Sequence, residues 1–261
     1  MDSLPAPILE FDPSREAFIE PSRVIRPRDV PECAVLCFFR EVIDTVAREH
    51  EARTPAHVTS EAGRWPLYEI DVDGRRLAFT HPGVGAPLAA GVLEELIAYG
   101  CKRFVVCGGA GVLSADLTLG HLMVPAAALR DEGTSYHYAP PSRSIAPADA
   151  AVRAVEEALR RDGVPYVTGM TWTTDAYYRE TPQRIARRRA EGALVVEMEA
   201  AALFAVAAFR GVPLGYLLYG GDDLSSEVWD SRHWQRQASV REKVFWLAAE
   251  ACLSIPPESD G

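Results

Sequence analysis

The sequence predicts a single α/β domain, on three observations. Short apolar runs that read as buried strands alternate with longer segments of helical period between residues 33 and 253. Residues 77–80, 87–99 and 103–107 form one compact strand–helix–strand unit, the crossover that parallel pairing requires. No interior linker, internal repeat or low-complexity segment divides the chain, and 261 residues with 48% apolar content suffice for a full core.

The elements follow in order. Residues 1–31, rich in proline and charge, are read as an N-terminal extension that wraps the surface or reaches a neighbouring subunit; the α/β domain then runs over 32–261. Residues 33–39 predict a strand leading into a helix over 40–49, and 51–65 an exposed loop. Residues 67–72 alternate polar and apolar, and Asp73-Gly74 turns them into a second strand over 75–80. The helix over 87–99 has proline at its start and Gly100 beyond its end. Further strands are expected over 122–125, 165–171, 194–196 and 214–219, with helices over 147–161, 182–191, 200–209 and 240–253.

Bulk chemistry narrows the function. A net charge of −10 argues against a nucleic-acid polymer as partner, because phosphate backbones demand a basic face. No apolar run has the length of a membrane span, and the first dozen residues lack the pattern of a secretory signal. Five cysteines without CxxC spacing read as reduced core thiols of a cytoplasmic protein. The six histidines lack metal-binding spacing, so no metal site is expected.

Chemistry concentrates where strands end. Glu197-Met198-Glu199 joins the apolar strand over 193–196 to an apolar helix, the kind of junction where α/β sheets place ligands. The plainer alternative is that Glu199 only complements the helix dipole. Glycine-rich loops at 83–85, 108–111 and 220–221 each follow a strand, as pocket walls or simply as tight turns. Asp222, after Gly220-Gly221, is either a general acid in apolar surroundings or a turn cap. Tyr177 and Tyr178 are placed to stack on a planar base or to pack against the protein. Trp229 and Trp234 read as a lid or an interface patch.

These residues together resemble the bacterial purine nucleoside phosphorylase and uridine phosphorylase superfamily, which also contains methylthioadenosine/S-adenosylhomocysteine nucleosidase. The similarity spans about 68–223 and is most specific at Val196-Glu197-Met198-Glu199-Ala200-Ala201, which looks like the family's ribose-binding signature. Asp222 lies 23 residues after Glu199, as the acid does in purine-acting members. Glu132-Gly133-Thr134-Ser135-Tyr136-His137-Tyr138-Ala139-Pro140 is similar to a segment of uridine phosphorylases, Asp175-Ala176-Tyr177-Tyr178 to the base-stacking segment, and 80–85 and 107–111 to the two glycine loops.

The resemblance implies a three-layer α/β/α fold with a central mixed sheet, and a homo-oligomer, a dimer or a trimer of dimers. It implies that Glu199 holds the ribose hydroxyls with Met198 and Glu197 beside it, that Tyr177 and Tyr178 meet the base, and that Asp222 protonates the departing purine. Val106 stands where an arginine is usual, Gly109 where a hydroxyl is usual and Gly221 where the acid is usually preceded by serine; the region of the uracil reader gives Pro182-Gln183-Arg184. The phosphate site is thereby reduced to Gly108, Gly109 and Arg40, with Arg53 or Arg64 from a neighbouring subunit. The expectation is a nucleoside phosphorylase that takes inorganic phosphate as co-substrate, needs no cofactor, and releases a purine base and ribose 1-phosphate. The alternatives are a nucleosidase using water with Glu41 as base, and a nucleoside-binding protein without turnover.

Overall fold

The computed structural model describes residues 6–115, 117, 120–233 and 237–257; Trp234 lies outside them. The extension runs along its own chain. It carries a 3-10 turn (Pro7–Leu9) and one α-helical turn, α1 (Pro21–Val24), and is tied down by Arg210 to Glu20 (2.9 Å) and Arg76 to Asp29 (2.8 Å).

Strand β1 (Cys33–Cys37) is buried along its whole length, as its unbroken apolar run requires. It leads into α2 (Arg40–Glu49), whose Val42, Ile43 and Val46 face the core. The stretch expected as a loop is instead a hairpin of β2 (Arg53–Ser60) and β3 (Gly63–Val72). Asp73 and Gly74, at φ of 52° and 78°, then turn the chain into β4 (Arg75–Thr80) as their dipeptide predicts. After α3 (Ala86–Tyr99) comes β5 (Arg103–Val112), followed by β6 (Leu122–Asp131), β7 (Ser144–Ile145), α4 (Asp149–Arg161) and β8 (Tyr166–Thr174). The chain closes with α5 (Pro182–Ala190), β9 (Ala193–Glu197), α6 (Ala200–Arg210), β10 (Leu214–Asp223) and α7 (Ala238–Ser254).

The sheet is mixed. Strands β4, β1, β5 and β10 run parallel in that order, and β2–β3–β4 is an antiparallel meander on the outer edge. At its far end β5 acquires a third neighbour, pairing antiparallel with β9 through Gly111 and Val112. Pairings of β9 with β8, β8 with β6, and β6 with β10 then close a five-strand ring. Alternate residues of β1 and β5 point to opposite faces: Ala34, Leu36, Phe104 and Val106 meet α3 and α6, whereas Val35, Cys37, Val105 and Cys107 meet α2, α4 and α7. The result is the expected helix–sheet–helix sandwich.

Two of the three predicted glycine loops are strand. Residues 108–111 complete β5, and Gly220-Gly221 lie within β10, where the register shifts before Asp223. Glycine is needed there because aromatic rings lie against the backbone. A Cβ on Gly108 would sit 3.1 Å from the Phe38 ring, and one on Gly109 3.1 Å from that of Tyr219. Only 83–85 is a true loop, with Gly83 and Gly85 at φ of 78° and 93°. All five cysteines are buried and free.

Candidate active site

The ring brings the strand ends that lead to the predicted carboxylates to one end of β5. β9 ends in Glu197 and β10 in Asp222-Asp223, and both strands flank the last residues of β5. Gly111 stands between them: a Cβ there would lie 2.6 Å from Leu224, 3.0 Å from Val196 and 3.5 Å from Asp222 Oδ1.

The two glutamates divide their work. Glu197 Oε2 accepts the backbone N–H groups of Glu199 (2.7 Å) and Ala200 (2.6 Å), while Oε1 accepts the hydroxyls of Thr173 (2.6 Å) and Thr171 (3.3 Å). It thus caps α6 from the preceding strand, answering orphan amides at the positive end of the helix. Its oxygens are engaged within the chain, which makes Glu197 a support for the Glu199 segment rather than a free carboxylate. Glu199 has fewer partners. Its Oε1 accepts the N–H of Gly85 at 2.6 Å, a donor aimed by a backbone conformation that favours glycine. Burial pushes Glu197 up to about 7. It pushes Glu199 up to about 8, with the Glu197 charge adding to the effect. Both carboxyls are thereby held above the ordinary carboxylate range, for want of water and because each charge opposes the other. Met198 is half-buried between them.

Asp222 is half-buried, and its Oδ2 accepts the indole N–H of Trp229 at 2.7 Å. Glu180, which sequence reasoning passed over, stands near it. Burial pushes this carboxyl up to about 7, the charge of Asp222 adds to the rise and Arg184 opposes it. Tyr177 and Tyr178 form a 3-10 turn just before Glu180, their ring centroids 4.3 Å apart and their exposures 54% and 87%. They contact each other and leave their outer faces open.

The third cluster lies where β1 ends and α2 begins. His81 accepts the N–H of Gly83 at 2.9 Å, packs edge-on against Phe38, and has its proton affinity lowered by burial and by the charge of Arg40. Arg40 is thereby placed beside the loop that carries Gly85. It is exposed, and no carboxylate among the described residues pairs with it. Gly108 and Gly109 continue β5 past Cys37, the last residue of β1. Glu41 forms an ion pair with Arg241 at 2.6 Å. The phenol of Tyr219, pushed up to about 12 chiefly by burial, feels the charges of Arg241, Glu41 and Asp222.

Arg53 and Arg64 are on the outer β2–β3 hairpin, where Arg53 bonds Glu69 at 2.6 Å. Within this chain they stand apart from the cluster. A cavity of about 820 Å3 under the extension, lined by α3, Thr134, His137, Tyr138 and the end of α6, includes neither Glu199 nor Asp222. No group of side chains suited to a metal is found among the described residues.

The family profile described as Phosphorylase superfamily matches residues 32–246. The chain belongs to this superfamily. Among its relatives, guanosine phosphorylase of Halorubrum lacusprofundi is 29% identical over 197 residues, covering 75% of this chain and 80% of that one. A DeoD-type purine nucleoside phosphorylase of Myxococcus xanthus is 33% identical over 187 residues, 70% of this chain and 77% of the other. In three dimensions the chain is similar to purine nucleoside phosphorylase of Toxoplasma gondii in complex with immucillin-H, with a TM-score of 0.74, 18% identity, and coverage of 87% and 95%. Membership of the Phosphorylase superfamily makes the chain one of a family of nucleoside-cleaving enzymes, and the shared fold explains how residues so far apart in sequence meet around β5. No helix among the described residues is long and apolar enough to cross a membrane.

Proposed function

We propose that this chain is a purine nucleoside phosphorylase, cleaving the N-glycosidic bond with inorganic phosphate to give free base and ribose 1-phosphate. The observation that supports it best is that β9 and β10 end on either side of Gly111 of β5, with Val196, three residues before Glu199, against one side and Asp222 against the other.

In this reading the 2′- and 3′-hydroxyls of the ribose donate to Glu199, held in place by Gly85, while Met198 packs on the sugar. As the bond from C1′ to the base nitrogen breaks, its electrons pass to the base and positive charge builds on the ribose. The ionised glutamate stabilises that charge. Asp222 gives a proton to the departing purine, whose ring lies against Tyr177 or Tyr178. A phosphate oxygen bonds to C1′ from the opposite side, with the anion held by Arg40, the Gly108-Gly109 strand end and the uncapped amides that begin α2. The subunits assemble as a homo-oligomer, a dimer or a trimer of dimers, which sedimentation velocity tests.

The chemistry is tested by supplying purine and pyrimidine nucleosides with and without phosphate, and following free base and ribose 1-phosphate. Phosphate-dependent release of purine base is expected; release indifferent to phosphate would transfer the role of nucleophile to water. Asp222→Asn is expected to lower kcat for purine nucleosides by about 10²- to 10⁴-fold with little change in nucleoside affinity. Equal loss of affinity and turnover removes Asp222 as the acid.

A further inference from the structure

Asp222 is held by a donor of a particular kind. After β10 the chain folds back, and Asp223 and Asp230 exchange backbone hydrogen bonds at 2.7 and 3.0 Å. Arg232 reaches the Asp223 carboxylate, and the Ser226 hydroxyl donates to the Val228 carbonyl at 2.7 Å. These contacts hold the returning segment against the strand and bring the Trp229 N–H to Asp222 Oδ2. The indole ring is 61% exposed, so this bond, rather than burial, is the contact that gives the ring a place.

An indole nitrogen only donates. Oδ2 therefore accepts, and because a proton on that oxygen would weaken the bond, a proton on this carboxyl is favoured on Oδ1. That oxygen faces β5, 3.5 Å from where a Gly111 side chain would begin. On the assumption that the chain works as proposed above, we infer that Trp229 is a positioning residue: it directs the transferable proton of Asp222 to Oδ1, the oxygen turned toward Gly111, and stabilises the carboxylate left behind. The step balances simply. The Oδ1–H bond breaks, an N–H bond forms on the base as the base receives the glycosidic electron pair, and the carboxylate keeps the Trp229 bond, which strengthens with the new charge. Glu180, across the site on the turn before α5, and Tyr219, on β10 itself, are the other titratable groups that share the field of Asp222.

The test compares guanosine with 7-methylguanosine, whose already cationic base leaves without being protonated. Trp229→Phe keeps the ring and removes the donor. For guanosine, kcat is expected to fall by about tenfold or more with KM within about threefold, and the limb of the pH profile set by the acid is expected to move. For 7-methylguanosine, kcat is expected to stay within about twofold of wild type. Parallel loss on both nucleosides would mark a structural role and overturn the inference, as would no change on either. Asp222→Asn in the same assay separates the two readings. A guanosine-selective loss in Asp222→Asn without one in Trp229→Phe overturns the role of Trp229 alone. Failure of the wild-type chain to cleave either nucleoside removes the proposed function and this inference with it.

Discussion

Glu199 and Glu197 are two residues apart, yet one is a scaffold and the other is available. The pair itself is legible in the sequence, because two acids at the end of an apolar run lack a local countercharge. Their division of labour is not legible. It is made by Thr171 and Thr173 on β8, more than twenty residues upstream, whose hydroxyls claim one carboxylate and leave the other to backbone donors alone. Glu180 was hidden for a similar reason: its proton affinity comes from burial and from Asp222, neither visible in its neighbours. The buried pair sets a pH dependence. Glu199 has a folded value of about 8 against an ordinary 4.5, so between those limits the native state binds more protons than the unfolded chain. Its contribution to stability is thus present at low pH and declines as pH rises through that window. Thermal denaturation of the wild type at several pH values should show this decline, and Glu199→Gln should flatten it. A decline of equal steepness in the variant would assign it to other groups.

At the scale of elements, glycine was the misleading letter. Glycines at 108–111 suggest a loop, but they extend β5 because its neighbours lay aromatic rings where side chains would stand. Pro55 is tolerated in β2 because this is an edge strand, where a missing N–H costs no internal ladder bond. Pro66 contributes through its carbonyl, which accepts the Thr80 hydroxyl at 2.9 Å. The βαβ unit and the 73–74 turn were legible because local chemistry alone decides them. Gly111 shows what nonlocal packing adds. Gly111→Ala would press on Val196 at 3.0 Å, a branched side chain at the head of the Glu197 segment, and on Leu224 beyond Asp222. Overpacking of this kind typically costs about 1–3 kcal/mol. The expected result is a lower melting temperature together with reduced kcat, as the two carboxylates are moved apart. Full activity in a destabilised protein would detach Gly111 from the site geometry.

Across the whole molecule, Arg210 is the tie between the extension and the body. At the end of α6 it bonds Glu94 on α3 at 2.7 Å and Glu20 in the extension at 2.9 Å, and all three side chains are largely buried. Removing it takes away the cation that Glu94 and Glu20 share, leaving Glu20 only the more distant charge of Arg23, a loss of about 3 kcal/mol. Arg210→Ala should therefore lower the unfolding midpoint and expose the region around residue 20 to protease before the rest of the chain. Cleavage and unfolding that begin elsewhere would show that the extension is held by its apolar contacts instead.

The closed ring of strands also governs when the site can exist. Its seams join Phe104 to Leu214 and Val112 to Val195, so no hairpin can start them and no short loop brings them close. Such long-range closures are slow to find, because chain entropy is lost before any contact repays it. A growing chain emerging from the ribosome can assemble the β2–β3–β4 meander early. It cannot seat Asp222 beside the end of β5 until nearly all of its length has been synthesised, which leaves the exposed ends of β5 and β8 in need of protection during the wait.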